Sequence, residues 1–247
     1  MVFRFMLLCG ALSASSVAQT DDLPDFPQYS PQCVPFECRP TRAPAPVKDF
    51  EFTSNGCGTS GFQVSTSKDL EECCNWHDAC YSVCGMPKKI CEKRLKSCMH
   101  ATCHEKRTAK EREDCFTTAK IFYISANMMA CPAYEDAQKE ACECVPEDTV
   151  ATATRQRLEY FLEENGASEK ELSDEAIDAL LTKYKGQEPK MFYRLLKKYP
   201  KALKRDPEKT NFMDNVVKNV DNSLKKEKLT KRKNVKKEEP VDEHEEL

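Results

Sequence analysis

The chain has 247 residues, 15 cysteines and a formal net charge of −3. Its length allows one or two domains. Beyond the N-terminal segment no apolar run reaches the roughly 18 residues that a membrane-spanning helix needs, so a soluble mature chain is expected.

Arg4 supplies a basic start, Phe5-Met6-Leu7-Leu8-Cys9-Gly10-Ala11-Leu12 a short apolar stretch, and Ser16-Val17-Ala18 a small-x-small cleavage site. Residues 1–18 therefore read as a signal peptide. Its removal takes Cys9 away and leaves 14 cysteines, an even number that implies a disulfide framework in the secretory pathway. All of these lie between Cys33 and Cys144, and that contrast with the remainder marks the main domain boundary. Zinc is the competing explanation for clustered cysteine and histidine, and an oxidising compartment disfavours it.

Residues 19–50 carry Pro24, Pro27, Pro31, Pro35, Pro40, Pro44 and Pro46 and little periodicity. They read as an extended arm, tied down by Cys33 and Cys38. The stretch Asn55-Gly56-Cys57-Gly58-Thr59-Ser60-Gly61 follows, and then a polar turn with several candidate N-caps. A first long helix is expected from Lys68 to Val83, ended by Gly85. Pro87 opens a second helix, to Ala101, with Cys91, Leu95 and Cys98 on one face. A third, from Thr108 to Ala130, holds the densest apolar cluster: Phe116, Ile121, Phe122, Tyr123, Ile124, Met128 and Met129. Apolar all round, it is expected to be buried, as core or as the wall of an acyl-chain channel. Cys131, Cys142 and Cys144 close a cysteine-rich domain spanning 51–146.

After Pro146 the pattern changes to a small helical module at 153–202. Leu158, Phe161 and Leu162 form one stripe, ended near Gly166. Ser173 can cap a second helix with Ile177, Leu180, Leu181 and Tyr184 inward. Pro189 opens a third with Phe192, Leu195, Leu196 and Tyr199 inward, stopped by Pro200. These apolar faces are most simply the module's own core; the module is either a binding surface for a protein partner or a stabilising extension. Residues 203–247 are polar and expected to be disordered. A basic run from Lys225 to Lys237 precedes an acidic one from Glu238 to Glu246. Such a run is a solvated tail or a tether to anionic membrane; nucleic acid is no partner in the compartment implied here. The final His244-Glu245-Glu246-Leu247 resembles an endoplasmic-reticulum retrieval signal, with Glu245 where aspartate is usual, and would be read by a retrieval receptor.

The chemistry concentrates in Cys73-Cys74-Asn75-Trp76-His77-Asp78-Ala79-Cys80-Tyr81. On a helix, positions three and four apart share a face, so Cys73, His77, Cys80 and Cys84 run down one side and Cys74, Asp78 and Tyr81 down the next. Disulfides at both ends would hold His77 rigidly. An imidazole held beside a carboxylate suits general-base chemistry or metal binding. No Gly-x-Ser-x-Gly elbow is present, which disfavours a serine acyl-enzyme.

This motif resembles the catalytic helix of the secreted phospholipases A2, and Asn55 to Gly61 resembles their calcium loop. Cys84-Gly85 and the spacing Cys91…Cys98…Cys103 are most like the group XII branch; the resemblance covers roughly residues 50 to 145. It implies an all-α, disulfide-rich fold: a core of two long antiparallel helices with a calcium loop, followed here by the helical module. It implies Ca²⁺ as cofactor, held by Asp78 and the carbonyls of Gly56, Gly58 and Ser60, with Ser60 where the family commonly has glycine. It implies that His77 activates a water for hydrolysis of the sn-2 ester of glycerophospholipids at a membrane surface. The carboxylate that steadies His77 is usually an aspartate; Glu92 stands at the matching position, after Cys91. Cys142-Glu143-Cys144-Val145 superficially resembles the same element, but Val145 could not serve. Both departures point to modest activity. The family spacings further imply the bridges Cys57–Cys74, Cys73–Cys98 and Cys80–Cys91. Two other classes of function compete: a non-catalytic lipid-binding or lipid-handling protein of the endoplasmic reticulum lumen, and an interaction protein working through the helical module.

Overall fold

The computed structural model describes residues 33–59, 62–63 and 66–206. The expected signal peptide, Ser60, the basic run and the terminal tetrapeptide lie outside the described residues. Helix α1 runs Lys68–Tyr81 and α2 Lys88–His104. Gly85 turns the chain between them at φ 74°, a value that favours glycine. Cys80 is bridged to Cys91 near this turn, and Cys73 to Cys98 about two turns away, so the helices pass in opposite directions. Cys57–Cys74 ties the preceding loop to α1. All three bridges implied by the resemblance are thus formed.

Helix α3 spans Ala109–Met129 and starts on a capping box, in which the Thr108 side chain and Glu111 satisfy each other's backbone N–H groups. It is not apolar all round in its packing. Cys115, Phe116, Ala119 and Tyr123 are buried, whereas Ile121, Met128 and Met129 are 61%, 52% and 69% exposed. The expectation of a wholly buried helix is corrected accordingly: one face packs on α1 and α2, the other meets solvent. The buried face joins Leu70, Leu95 and Met99 in a small core threaded by cystines.

Helix α4, Cys131–Ala141, was not expected from the sequence, although Pro132 marks its first turn. Its Gln138 is 2% exposed and ties down the α1–α2 turn. Gln138 Nε2 donates to the carbonyls of Tyr81 and Val83 at 2.6 and 2.9 Å, while its Oε1 accepts from Gly85 N–H at 2.9 Å. Carbonyls at the end of α1, which lack helical partners, are satisfied in this way. Tyr134 donates to the Met86 carbonyl at 2.9 Å, and Cys84–Cys142 closes the same corner.

Among the described residues, three short two-stranded sheets accompany the helices, an addition to the all-α expectation. Strand β1, Arg42–Pro46, pairs antiparallel with β5, Cys142–Pro146, so this described part of the proline-rich arm is extended. Strand β2, Phe52–Ser54, pairs in parallel with β6, Leu203–Arg205, and β3, Gly58–Thr59, pairs with β4, Phe62–Gln63. Cys33–Cys131, Cys38–Cys144 and Cys103–Cys115 complete seven disulfides.

Helices α5, Val150–Glu164, α6, Asp174–Lys183, and α7, Glu188–Lys198, follow the expected periodicity, and Ser173 caps α6 by accepting from Ala176 N–H. Their apolar faces do not form a core of their own. Leu158, Phe161, Leu162, Ile177, Met191, Phe192 and Leu196 share one cluster with Phe52, Ala79, Tyr81, Val83 and Met86. The faces left over by three short helices are too small to exclude water alone, and the outer side of α1 supplies the missing surface. Among the described residues, no helix is long and apolar enough to cross a membrane.

Leu158 is fully buried in that shared cluster, so Leu158→Ala should cost about 2–5 kcal/mol. The loss should appear in calorimetry as a downward shift of one transition involving the whole described chain. Two transitions, with only one of them shifted, would show the C-terminal helices to be an independent unit.

Candidate functional site

Within α1, His77 lies on the face that carries Cys73 and Cys80, both bridged to α2. The bridges set the register, and Glu92, next to bridged Cys91, is brought to the imidazole. His77 Nε2 and Glu92 Oε2 are 3.4 Å apart, with the residues only 8% and 4% exposed. That separation is long for a hydrogen bond, and neither atom has another hydrogen-bond partner. The His77 ring also lies against Tyr81, with centroids 4.2 Å apart.

The other oxygen of Glu92 is better supplied. Lys88 Nζ lies 3.0 Å from Oε1, and the Tyr81 hydroxyl donates to the same atom. Burial on its own would raise the Glu92 carboxyl; the contact with His77, its charge, Lys88 and the Tyr81 hydrogen bond together outweigh burial and hold it below its ordinary value. Burial, reinforced by the Glu92 charge, drives the Tyr81 phenol far above its usual range and keeps it a donor. Lys88 also donates to the carbonyls of Ala126 and Asn127 at 3.0 and 3.2 Å, near the end of α3. Lys88 was not among the residues expected at the site, although a lysine four residues before a glutamate on a helix is a legible pair.

Asp78 lies on the neighbouring face of α1, toward the glycine loop. Its Oδ2 accepts from Asn55 N–H at 3.1 Å, and Asn75 Oδ1 accepts from Gly56 N–H at 3.0 Å. Gly56 and Gly58 have φ of 83° and 146°, conformations that L side chains rarely adopt. With Cys57 bridged to Cys74, three successive loop residues are fixed to α1. The Asp78 carboxylate is a hard-oxygen donor of the kind that calcium takes and zinc sites built on thiolate and imidazole do not, and the loop group placed against it is the Asn55 N–H. Elsewhere, the sulfur and carboxylate atoms of Cys33, Cys131 and Glu135 cluster closely, but the two sulfurs are a cystine and Glu135 accepts from Val34 N–H, so no thiolate is available for a metal.

A cleft of about 490 Å³ opens beside His77. Trp76 lines it from α1, Ile90, Lys93, Arg94 and Ser97 from α2, and Tyr193 and Lys197 from α7. Of the site residues expected from the sequence, His77 alone is among its lining residues; Glu92 sits behind the imidazole, and Asp78, Gly56 and Gly58 do not line it. The part played by α7 has no local signal, since Tyr193 and Lys197 meet α1 only through the fold.

Comparison with known proteins bears on this arrangement. A family model described as group XII secretory phospholipase A2 precursor matches residues 29–151. Residues 29–151 belong to the group XII secreted phospholipase A2 family. The chain is similar to the group XIIA secretory phospholipase A2 of Homo sapiens, 32% identical over 36% of this chain and 51% of that protein. It is similar to the group XIIA enzyme of Mus musculus, 29% identical over 44% of this chain and 61% of that protein. The group XIIB secretory phospholipase A2-like protein of Mus musculus is 29% identical over 46% of this chain and 65% of its own length. The chain thus spans 51–65% of the length of these relatives. No solved structure matches it. Helices α6 and α7 lie wholly outside the matched residues.

The depressed Glu92 carboxyl links stability to acid. The folded chain binds this proton less tightly than the unfolded chain, whose glutamate titrates near 4.5. Its stabilisation is therefore fully present above that value and is lost as pH falls through the lower, folded value. Glu92→Gln should flatten this part of the profile, read from urea midpoints at about pH 6 and about pH 3. An acid slope identical to wild type in the variant would assign the loss to other carboxylates.

Proposed function

We propose that the protein is a calcium-dependent phospholipase A2 that hydrolyses the sn-2 ester of glycerophospholipids with a His77-activated water. The observation that carries this reading is a buried imidazole facing an ionised, buried carboxylate at the wall of a cleft, inside the residues that match the family. With Nε2 directed at Glu92, His77 has Nδ1 at the opposite edge of its ring to take a proton from water attacking the ester carbonyl. Glu92, kept ionised by Lys88 and Tyr81, favours the imidazolium that forms and fixes the ring's tautomer. It touches His77 and not the substrate, so its role is positioning.

On this reading α1, α2 and the glycine loop are the phospholipase core of two long antiparallel helices, and α5 to α7 are an addition. Asp78 and the carbonyls of Gly56, Gly58 and Ser60 would hold calcium. When bound, that ion supplies positive charge to the developing oxyanion. Seven disulfides suit an oxidising compartment. We place the protein in the secretory pathway, acting at a phospholipid surface and returned to the endoplasmic reticulum through its last four residues. A lipid-handling protein without turnover is the second reading. The 3.4 Å gap between His77 and Glu92, longer than a good hydrogen bond, favours it.

The two are separated by fatty-acid release from phospholipid vesicles, with calcium or with chelator. His77→Gln should keep the fold and lower calcium-dependent release by about 10²–10⁴-fold, the usual cost of removing a general base. Equal rates in the purified variant would rule out His77 as the base. Asp78→Asn should weaken calcium binding in calorimetry. No release by the wild type under any calcium level, with lipid binding intact, would establish the second reading.

A further inference from the structure

Three cations border the cleft beside His77: Lys93 and Arg94 from α2, and Lys197 from α7. Arg94 lays its guanidinium on the Tyr193 ring, 4.2 Å from the centroid, and its Nε is buried without a hydrogen-bond partner. Lys197 holds Nζ 3.4 Å from the centroid of Trp76. Among the described residues, none of these three cations has a carboxylate within ion-pair distance, whereas Lys88, Lys106, Arg155, Lys198 and Lys204 each have one. Glu72, one helical turn before the cleft's indole, accepts from Trp76 Nε1 at 2.5 Å. Burial brings the Lys197 ammonium down to about 8, with Glu72 opposing and Arg94 adding to the effect. The cleft therefore gathers three cations without an ion-paired carboxylate among the described residues, next to two aromatic rings.

A ligand that relieves this arrangement must be an anion with several acceptor oxygens. An arginine fork and an ammonium on one side of a cleft match a phosphate group, each through charge-assisted hydrogen bonds. We propose that Arg94 and Lys197, with exposed Lys93 at the rim, bind the phosphate of an anionic phospholipid head group. In this way α7, outside the family match, selects the substrate. The assignment to a lipid rests on the hydrolytic reading of His77; the anion site itself rests on the cations and their aromatic partners.

Trp76 is the only tryptophan in the chain and lies directly under Lys197, so its emission reports on the site without turnover. The full chain is titrated with inorganic phosphate, with short-chain phosphatidic acid and with short-chain phosphatidylcholine. Phosphatidic acid should give a saturable change in emission, at about tenfold lower concentration than phosphatidylcholine, the scale of one added charge-assisted contact. Lys197→Gln and Arg94→Gln should each remove about a tenfold factor, whereas Lys197→Arg, which keeps the charge, should retain binding. Tighter binding of phosphatidic acid than of phosphate supports a lipid as the source. Tight binding of phosphate with no gain from acyl chains overturns the head-group assignment. Equal titrations for anionic and zwitterionic lipid, or no effect of both charge-removing variants while Lys197→Arg is folded, overturn the anion site. A chain that binds phosphatidic acid in this way but releases no fatty acid sinks the hydrolytic reading alone. A chain that hydrolyses both lipids at the same ratio in wild type and Lys197→Gln sinks the selection by α7 alone.

Discussion

His77 can face Glu92 only while α1 and α2 keep one register, and Cys73–Cys98 and Cys80–Cys91 enforce that register from both sides of the imidazole. Half-cystines three and four positions from a histidine share its helical face. The bonds that fasten the helices are therefore on the same surface as the chemistry. A purely apolar seam of this length would tolerate a sliding adjustment of one helix against the other. Two covalent links two turns apart do not. In a core as small as the one between α1, α2 and α3, such links also replace burial as a source of stability, each restricting the unfolded chain by about 2–4 kcal/mol.

That rigidity matters because the site contains a buried charge. An ionised carboxylate at 4% exposure is costly unless its partners are close and well placed. Lys88, Tyr81 and His77 all approach Glu92, and each is held by something else. Lys88 is oriented by the carbonyls near the end of α3. Tyr81 packs edge-on against Tyr134, whose hydroxyl donates to the turn before α2. Gln138 satisfies the carbonyl of Tyr81 itself. The electrostatics of one glutamate thus draw on α3 and α4 as well as on the helix pair that carries the site.

Local features were legible in the sequence and long-range ones were not. The starts expected for α1, α2 and α3, the Ser173 cap and the proline that opens α7 depend on neighbouring residues, and α1, α2, α3, α6 and α7 begin within a residue of those positions. The imidazole beside a carboxylate was visible as a motif, and three disulfides followed from likeness to a family. Helix α4 escaped because its few apolar positions, Tyr134 and Ala141 among them, are sparse, and its most buried side chain is a glutamine. Read by hydrophobicity, Gln138 is a surface residue; it is buried because it has three backbone partners at the end of α1. The apolar stretch at Ile121, Met128 and Met129 misled in the opposite sense, since residue type says nothing about which face of a helix finds a neighbour.

The C-terminal helices illustrate the same limit and show its consequence. Met191, Phe192, Leu195 and Leu196 are buried in the core that α1 also enters, and on the same helix Tyr193 and Lys197, one turn apart, reach the cleft. An 11-residue helix with both kinds of contact cannot move one without the other. Pro189, at its start, lies 3.4 Å from where a Cβ on Gly85 would stand, so the turn between α1 and α2 also limits how α7 can sit. Packing below and charge above are therefore coupled through one rigid element. A substitution that loosens Phe192 or Leu196 changes the position of a cation beside His77 as well as the stability of the chain. In a protein whose site is fixed on two sides by cystines, this helix is the side whose placement depends on ordinary packing, which makes it the natural place for selectivity to be tuned.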